Sequence, residues 1–462
     1  MLEILWDRSI SLLLFWSIWL LAPLLVDVSA AAKCFMGLFL HEEKNGKAKE
    51  KSPDADAMEF YPYVTVVVPV HNSVDTLYQC LNSIFRQNYP KDKLEIVCVN
   101  NGSEDNSFEI FQEFQFEHPE MMTTWSSMER AGKSIALNAG IYHGHGTYIM
   151  NVDSDTWLDK NAVLRVVEAF EADDSLAAAT GLIRVDKEIG EGYSFIDLIN
   201  YCEIIEYMLA FNIGRRYQQI TDSLFTLSGA FSIFRRDALL QSFMYQDRTV
   251  SEDTDLTFNI KNDQKKQKRR VGCVLDAVAY VEPINSISQL YAQRLRWQRG
   301  EIEAIAIHGE EVRSIWHDLR SYIGRMFISD HTLALIRLNW TFLLIFLYFI
   351  GYSMQTVFFS LIILLLCYII LDTASFAMVY KYSPGLYRCE IKKIWWIVFI
   401  LPFYRYMVYW FRLAGIITVL TEEKSWRVEY PVDQLKEIFR SYKRRLTRAS
   451  TFLNKNKGGE TV

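Results

Sequence analysis

Three short clusters in the chain hold residue types that could do chemistry together. Asp153-Ser154-Asp155 follows directly on an apolar run, Thr147-Tyr148-Ile149-Met150-Asn151-Val152. On an extended backbone, positions i and i+2 face the same way, so the two carboxylates project together from a strand's end. Mg²⁺ is typically held by one or two carboxylates plus substrate phosphates, which makes this pair a candidate metal–diphosphate site. The ordinary alternative for Asp-x-Asp is a solvated loop. The second cluster is Ser251-Glu252-Asp253-Thr254-Asp255. A carboxylate within hydrogen-bond reach of a proton can serve as a general base. Equally, Ser251 can cap a helix whose first turn is acidic. Both readings hold together if a first-turn acid faces a cleft. The third cluster is Gln293-Arg294-Leu295-Arg296-Trp297. On a helix, Gln293, Arg296 and Trp297 share one face. Arginine offers a planar fork to phosphate oxygens and tryptophan a flat apolar surface. An interfacial helix with a snorkelling arginine and an anchoring tryptophan uses the same residues.

The elements that must carry these clusters alternate. Val64–Val70 is a β-branched run that reads as a buried strand. Residues 74–87 place apolar groups at helical spacing. Leu94–Val99 is a second strand, ending at the turn Asn100-Asn101-Gly102-Ser103. Helices are expected over 105–115, 132–143 and 159–172, with a strand at 147–152 between the last two. This alternation predicts a doubly wound α/β domain over residues 55–310, with a parallel sheet flanked by helices. Ligands of such sheets sit beyond the carboxyl ends of the strands. A dinucleotide site needs Gly-x-Gly-x-x-Gly after the first strand, but Val70-His71-Asn72-Ser73 stands there.

Composition narrows the class further. The chain has 462 residues, half of them hydrophobic, and a net charge of −6. Wholesale disorder is excluded, and a nucleic-acid partner is not expected of a net-acidic chain. The seven cysteines are scattered without a Cys-x-x-Cys pair, so neither a disulfide framework nor a cysteine zinc site is expected. Apolar residues concentrate in long runs. Residues 9–31 are long enough to cross a bilayer, and Glu3, Asp7 and the length of the run oppose a signal peptide. Residues 333–350 and 354–380 read as two spans. A further apolar stretch, 394–420, is interrupted by Pro402, Arg405 and Arg412, and is expected to lie partly in the interface with a break at Pro402. Lys33, Lys44, Lys47, Lys49 and Lys51 follow the first run, whereas only Arg8 precedes it. The positive-inside rule therefore places the α/β domain on the cytoplasmic face of a multi-pass plasma-membrane protein. The plan is an anchor at 1–32, a charged linker at 33–54, the domain at 55–310, an interfacial segment at 311–330, membrane or interfacial helices at 331–420 and a basic tail at 421–462. The tail's ten Lys or Arg between 424 and 462 favour the cytoplasm, while three spans after the domain would export it. Both placements stay open.

Together, the clusters and apolar segments resemble glycosyltransferase family 2, in its membrane-embedded branch of cellulose, hyaluronan and poly-N-acetylglucosamine synthases. Strand Val64–Val70, the Asn-Gly-Ser turn, Gly132-Lys133-Ser134-Ile135-Ala136-Leu137-Asn138, Asp153-Ser154-Asp155, Leu227-Ser228-Gly229-Ala230, Glu252-Asp253 and Gln293-x-x-Arg296-Trp297 stand in the family's order. The resemblance implies a GT-A type, Rossmann-like cytoplasmic domain flanked by transmembrane helices. It implies an inverting glycosyltransferase that uses Mg²⁺ or Mn²⁺ and a nucleotide sugar, a UDP-sugar foremost. The acceptor would be a growing glycan or a membrane lipid, and envelope-assembly proteins would be partners. Asp155 would hold the metal, and Asp153 would assist it or contact the nucleotide. Asp253 would be the base, with Glu252 beside it as the other catalytic carboxylate. Lys133, Gln293 and Arg296 would steady the diphosphate. Trp297 would floor the acceptor site, and Ser228 and Gly229 would let the acceptor approach the backbone. The family usually carries an aspartate in the turn after the second strand. Here Asn100 would meet the base, accepting a hydrogen bond without charge. Two other readings share these residues: transfer of one sugar to a polyprenyl phosphate, and a catalytically silent assembly subunit that keeps the fold.

The lysine distribution makes a direct prediction. A Lys47→Cys variant should resist membrane-impermeant thiol reagents in intact cells and react once the cells are opened. Labelling from outside would reverse the orientation.

Overall fold

The computed structural model describes residues 27–43, 60–128, 130–190, 192–264, 267–308, 345–349 and 351–421. Most of the expected anchor, half of the charged linker, the interfacial segment, most of the 333–350 span and nearly all of the basic tail lie outside these residues.

Residues 27–43 form a helix, α1. The α/β domain then begins with β1 (Val64–Val70), in which every residue is buried. Such a run suits a strand covered on both faces. α2 (Leu77–Phe85) buries Leu77, Cys80, Leu81 and Ile84, one helical stripe against the sheet. β2 (Leu94–Asn100), α3 (Ser107–Glu117), β3 (Met122–Ser127), α4 (Lys133–His143) and β4 (Tyr148–Val152) continue the alternation, followed by β5 (Thr156–Leu158), α5 (Ala162–Ala172) and β6 (Leu176–Val185). α6 (Phe195–Tyr207) starts at a capping box made by Ser194 and Asp197. It runs through a π-helical stretch, Met208–Gly214, into α7 (Arg215–Ile220). β7 (Phe231–Arg235), α8 (Arg236–Gln241), α9 (Glu252–Gln264), β8 (Arg270–Val281) and α10 (Ile287–His308) complete the domain.

Among the described residues the sheet has eight strands in the order β3-β2-β1-β4-β7-β6-β8-β5. β1 to β4 are parallel neighbours, as the alternation predicts. The sheet as a whole is mixed, however, and the expectation of a parallel sheet is corrected here. β7 runs antiparallel to both β4 and β6, and β5 antiparallel to β8. An apolar run such as Phe231-Ser232-Ile233-Phe234 specifies a strand but not its direction. The reversal has a consequence for the site. Val152, the last residue of β4, pairs with Phe231, the first of β7. The Ser228-Gly229-Ala230 loop therefore enters at the edge where β1, β2, β3 and β4 end.

After α10 come α11 (Met354–Tyr382), α12 (Gly385–Lys393), a 3₁₀ turn at Trp395–Phe399 and α13 (Leu401–Thr421). Among the described residues, α11 is the one helix long and apolar enough to cross a membrane. α1 lies along it: Tyr368 donates to Asp27 at 3.1 Å, and Lys381 pairs with Glu42 at 2.7 Å. The 394–420 segment is interrupted beside Pro402, between the 3₁₀ turn and α13, and Pro402 sits in the first turn of α13, where a missing N–H leaves no intrahelical bond unmade. The two interrupting arginines also have reasons to be there. Arg405 pairs with the fully buried Asp372 of α11, and Arg412 faces Glu206 of α6. α13 packs back on the domain, with Phe411 edge-on to Tyr291 of α10 at 5.2 Å between ring centroids.

The buried pair sets a prediction. Arg405→Met leaves Asp372 without its cation and should cost about 3 kcal/mol, the lower end for a broken buried pair. The double variant with Asp372→Leu should recover most of that in a melting experiment. A double variant less stable than Arg405→Met would show that the pair does not act as a unit.

Candidate active site

Four loops and two helix starts meet at the sheet edge described above. After β4 the chain turns sharply, with Thr156 N–H donating to the Asp153 carbonyl at 3.0 Å. Ser154 points inward, is buried, and shares a 2.7 Å hydrogen bond with Ser73 in the loop after β1. Asp153 and Asp155 flank it on this turn, not on the extended backbone expected of the pair, and Asp153 reaches Lys133. Asp155 is exposed to solvent. Protein still surrounds it closely enough that burial, joined by the Asp153 charge, raises its pKa.

Lys133 opens α4 opposite this turn. Its Nζ lies 2.8 and 3.0 Å from the two carboxylate oxygens of Asp153 and 3.5 Å from Glu252 Oε1. Burial alone would lower its pKa, but Asp153 and Glu252 more than offset that and hold it above the ordinary lysine value. The helix is fixed at two further points. Asn101 Oδ1 accepts from Gly132 N–H. Asn138 exchanges two hydrogen bonds with the Tyr245 backbone, at 2.8 and 3.0 Å.

Glu252 and Asp253 begin α9. Asp253 is held from both sides: Oδ2 accepts from Gly229 N–H at 3.0 Å and Oδ1 from Thr254 N–H at 2.7 Å. Gly229 is held in turn by Asn151 of β4, whose Nδ2 donates to its carbonyl at 2.6 Å. A Cβ on Gly229 would stand 3.3 Å from Asp253 Oδ2 and 3.5 Å from Lys133 Nζ. The glycine thus keeps a space open between base-type and phosphate-type groups. Burial, reinforced by neighbouring Asp253, pushes Glu252 up to about 7 despite the opposing Lys133. Burial likewise raises Asp253. One ammonium cannot balance Asp153, Asp155, Glu252 and Asp253 together.

α10 docks on the start of α9. Gly300 lies so close to Ser251 that a Cβ there would sit 1.9 Å from Ser251 Oγ. Glu303 accepts from Val250 N–H at 2.8 Å, and His308 Nε2 lies 2.8 Å from Asp255. One turn earlier, Gln293 and Trp297 share a face, and Arg296 is half-buried on the same helix. Gln293 donates to the Tyr207 hydroxyl at 3.3 Å. Trp297 packs against Tyr207 and Phe211, with ring centroids 6.0 and 6.5 Å apart. Asn100 closes the turn after β2 by accepting from Ser103 N–H at 2.8 Å. Ser228 N–H donates to Thr180 Oγ1 at 3.3 Å.

The structure therefore joins Lys133, Asp153, Glu252, Asp253 and Gly229 by direct contacts, with Asp155 alongside. Gln293 and Trp297 make their contacts with Tyr207 and Arg294 instead. Sequence reasoning missed Asn101, Asn138, Asn151 and Arg294 as supports. Asn151 carried a signal, as an amide inside an otherwise apolar strand.

A divalent cation fits the donor set as a partner of the substrate, not as a resident of a ready-made cage. Among the described residues no group of three or more His, Cys, Asp or Glu converges on one point. Asp153 and Asp155 supply two carboxylates in a site with excess negative charge. Phosphate oxygens would complete the shell.

Residues 65–243 match the model of glycosyl transferase family 2. They are a family 2 glycosyltransferase domain. Over 260 residues the chain is 25% identical to a poly-β-1,6-N-acetyl-D-glucosamine synthase of Staphylococcus epidermidis, covering 56% of this chain and 58% of that one. The corresponding synthase of Staphylococcus aureus is 25% identical over 255 residues, covering 55% and 58%. The chain thus spans little more than half the length of the curated relatives it matches. The mannosyltransferase PcManGT of Pyrobaculum calidifontis, solved in complex with GDP-Man and Mn²⁺, aligns with a TM-score of 0.50 at 16% identity, over 86% of this chain and 99% of that chain. This likeness shows a shared GT-A type fold around the family 2 domain.

The raised carboxylates predict a stability signature. The ordinary glutamate pKa is about 4.3, and folding lifts that of Glu252, so the folded state binds a proton that the unfolded chain has released. Its contribution is intact below about pH 4.3 and is lost as pH rises through about 7. Glu252→Gln removes this penalty. The variant should gain on wild type between pH 5 and 8, by about 3–4 kcal/mol at the upper end. A gap that does not change with pH would contradict the assignment.

Proposed function

We propose that this chain is an inverting, metal-dependent glycosyltransferase. It would move a sugar from a nucleotide sugar, a UDP-sugar foremost, to a growing glycan or other membrane-associated acceptor at the cytoplasmic face. The observation that carries this reading is Lys133, whose ammonium bridges the Asp153 carboxylate and Glu252 of the Glu252–Asp253 pair. A phosphate-side group and a base-side group thereby share one concavity.

In this mechanism Asp253 accepts the proton of the acceptor hydroxyl. The freed oxygen attacks the anomeric carbon from the face opposite the diphosphate, and the bond to the diphosphate oxygen breaks. Attack from the opposite face inverts the configuration. The two backbone N–H groups on Asp253 fix its orientation, and its raised pKa brings it nearer to that of a useful base. Glu252 stands next in line and keeps Lys133 in place. Lys133, Gln293 and Arg296 steady the leaving diphosphate, and Asn100 borders the base pocket. A divalent ion, held by Asp155 and Asp153, would neutralise charge on the diphosphate. Trp297 and the Ser228–Gly229 backbone line the acceptor side. The Staphylococcus synthases and the membrane-type helix α11 support a polymer or lipid-linked acceptor over a soluble one.

The reading is tested by incubating the purified full chain with a panel of nucleotide sugars and Mg²⁺ or Mn²⁺, then sizing the products. Release of nucleoside diphosphate, stopped by chelator, is expected. Asp253→Asn keeps shape and hydrogen bonding but cannot take a proton. Turnover should fall by roughly 10²–10⁴-fold while nucleotide affinity stays near wild type. If affinity falls in step with rate, Asp253 belongs to the donor site. If Glu252→Gln alone silences the enzyme, the base is Glu252.

A further inference from the structure

We propose that Arg294 is a positioning residue, which sets the Gln293–Trp297 face of α10 and ties its placement to α6 and α13. This inference rests on the transferase reading above.

The side chain is 1% exposed and makes contacts in four directions. Its Nη1 donates to Gln293 Oε1 at 2.8 Å. Its Nη2 reaches Glu206 at 2.7 Å, Glu203 at 3.2 Å and the Tyr404 hydroxyl at 3.2 Å. The guanidinium carbon lies 4.4 Å from the Trp297 ring centre. Glu203, Glu206 and Tyr207 fall at i, i+3 and i+4 on α6 and present one face. Tyr404 belongs to α13, and its hydroxyl donates to Glu206 at 2.7 Å. One cation thus contacts two proposed site residues on its own helix and anchors them to two other helices.

The chemistry favours arginine here. A guanidinium is planar, spreads its donors in a fork and stacks on an aromatic face, whereas an ammonium is a compact point charge. Lysine at 294 could keep one carboxylate contact, but it could not also brace Gln293 and offer a delocalised cation to Trp297. The balance of charge agrees. Burial pushes Glu203 up to about 7, while at Glu206 burial is outweighed by Arg294 acting together with Arg412, Arg405 and the Tyr404 hydroxyl, and the pKa is lowered. The guanidinium is therefore matched chiefly by Glu206.

The test compares Arg294→Lys, Tyr404→Phe, Gln293→Ala and the Arg294→Lys/Gln293→Ala double variant. Each is measured as turnover per folded molecule, with folded protein counted by circular dichroism and melting. If Arg294 acts by positioning, Arg294→Lys should lower kcat by up to about 10²-fold, the usual loss for a displaced catalytic group. Adding it to Gln293→Ala should cost little more than Gln293→Ala alone, because the two share one effect. Tyr404→Phe removes a single hydroxyl and should lower kcat in the same direction by a smaller factor. It keeps the question answerable if Arg294→Lys folds poorly. A purely structural role predicts fewer folded molecules with wild-type kcat, and that result in both variants overturns the proposal. So do losses that multiply in the double variant. If the wild-type chain transfers no sugar at all, the transferase reading fails first, a result distinct from an active wild type indifferent to Arg294.

Discussion

Asp153, Asp155, Glu252 and Asp253 crowd one concavity around a single ammonium, that of Lys133. An ionised carboxylate without a partner is costly in such a setting, and like charges raise the cost further. Lys133 pairs with Asp153 and reaches Glu252, which leaves the group as a whole negative. Burial, reinforced by that imbalance, raises the pKa values of Glu252 and Asp253. The imbalance also gives a physical reason why an anionic nucleotide would need to arrive with a divalent cation. The supporting hydrogen bonds from Gly229, Thr254, Asn101 and Asn138 hold the charges where they would otherwise repel one another.

Everything else in the domain serves to keep that arrangement at the sheet edge. Parallel strands β1, β2 and β4 deliver their loops there by ordinary crossovers. β7 contributes by running the other way, so that its entry loop, not its exit, meets the acids. α9 is seated by α10, through Gly300 against Ser251 and Glu303 against the Val250 backbone. α10 is seated in turn by α6 and α13, through Arg294. A continuous set of packed contacts therefore runs from the carboxylates to the helices that follow the domain.

Much of this was legible in the residues themselves. β1, β2 and β4 declare themselves by β-branched or apolar runs, and α2 and α4 by spacing, because periodicity reports burial directly. Asp153 and Asp155 were readable as acids at the end of β4, but the turn that carries them was not, because an apolar run does not report how the chain leaves it. Strand direction was not readable, since the side-chain pattern of β7 is the same either way. Pro402 was a readable marker, since proline is costly in a helix interior and at home in a first turn, and α13 begins one residue before it. The buried role of Arg294 was hidden by its neighbours. A cluster rich in arginine and tryptophan reads as a surface until the partner helix bearing Glu203 and Glu206 is brought alongside.

The most direct test of the charge argument is to titrate Mn²⁺ into the full chain by electron paramagnetic resonance, with and without UDP. If the acids form a site completed by phosphates, UDP should tighten Mn²⁺ binding by about 5–150-fold, the usual range of coupling between linked ligands. Mn²⁺ should tighten UDP by the same factor, and Asp155→Ala should abolish the coupling in both directions. Equal Mn²⁺ affinity with and without UDP, or coupling that survives Asp155→Ala, would contradict the account.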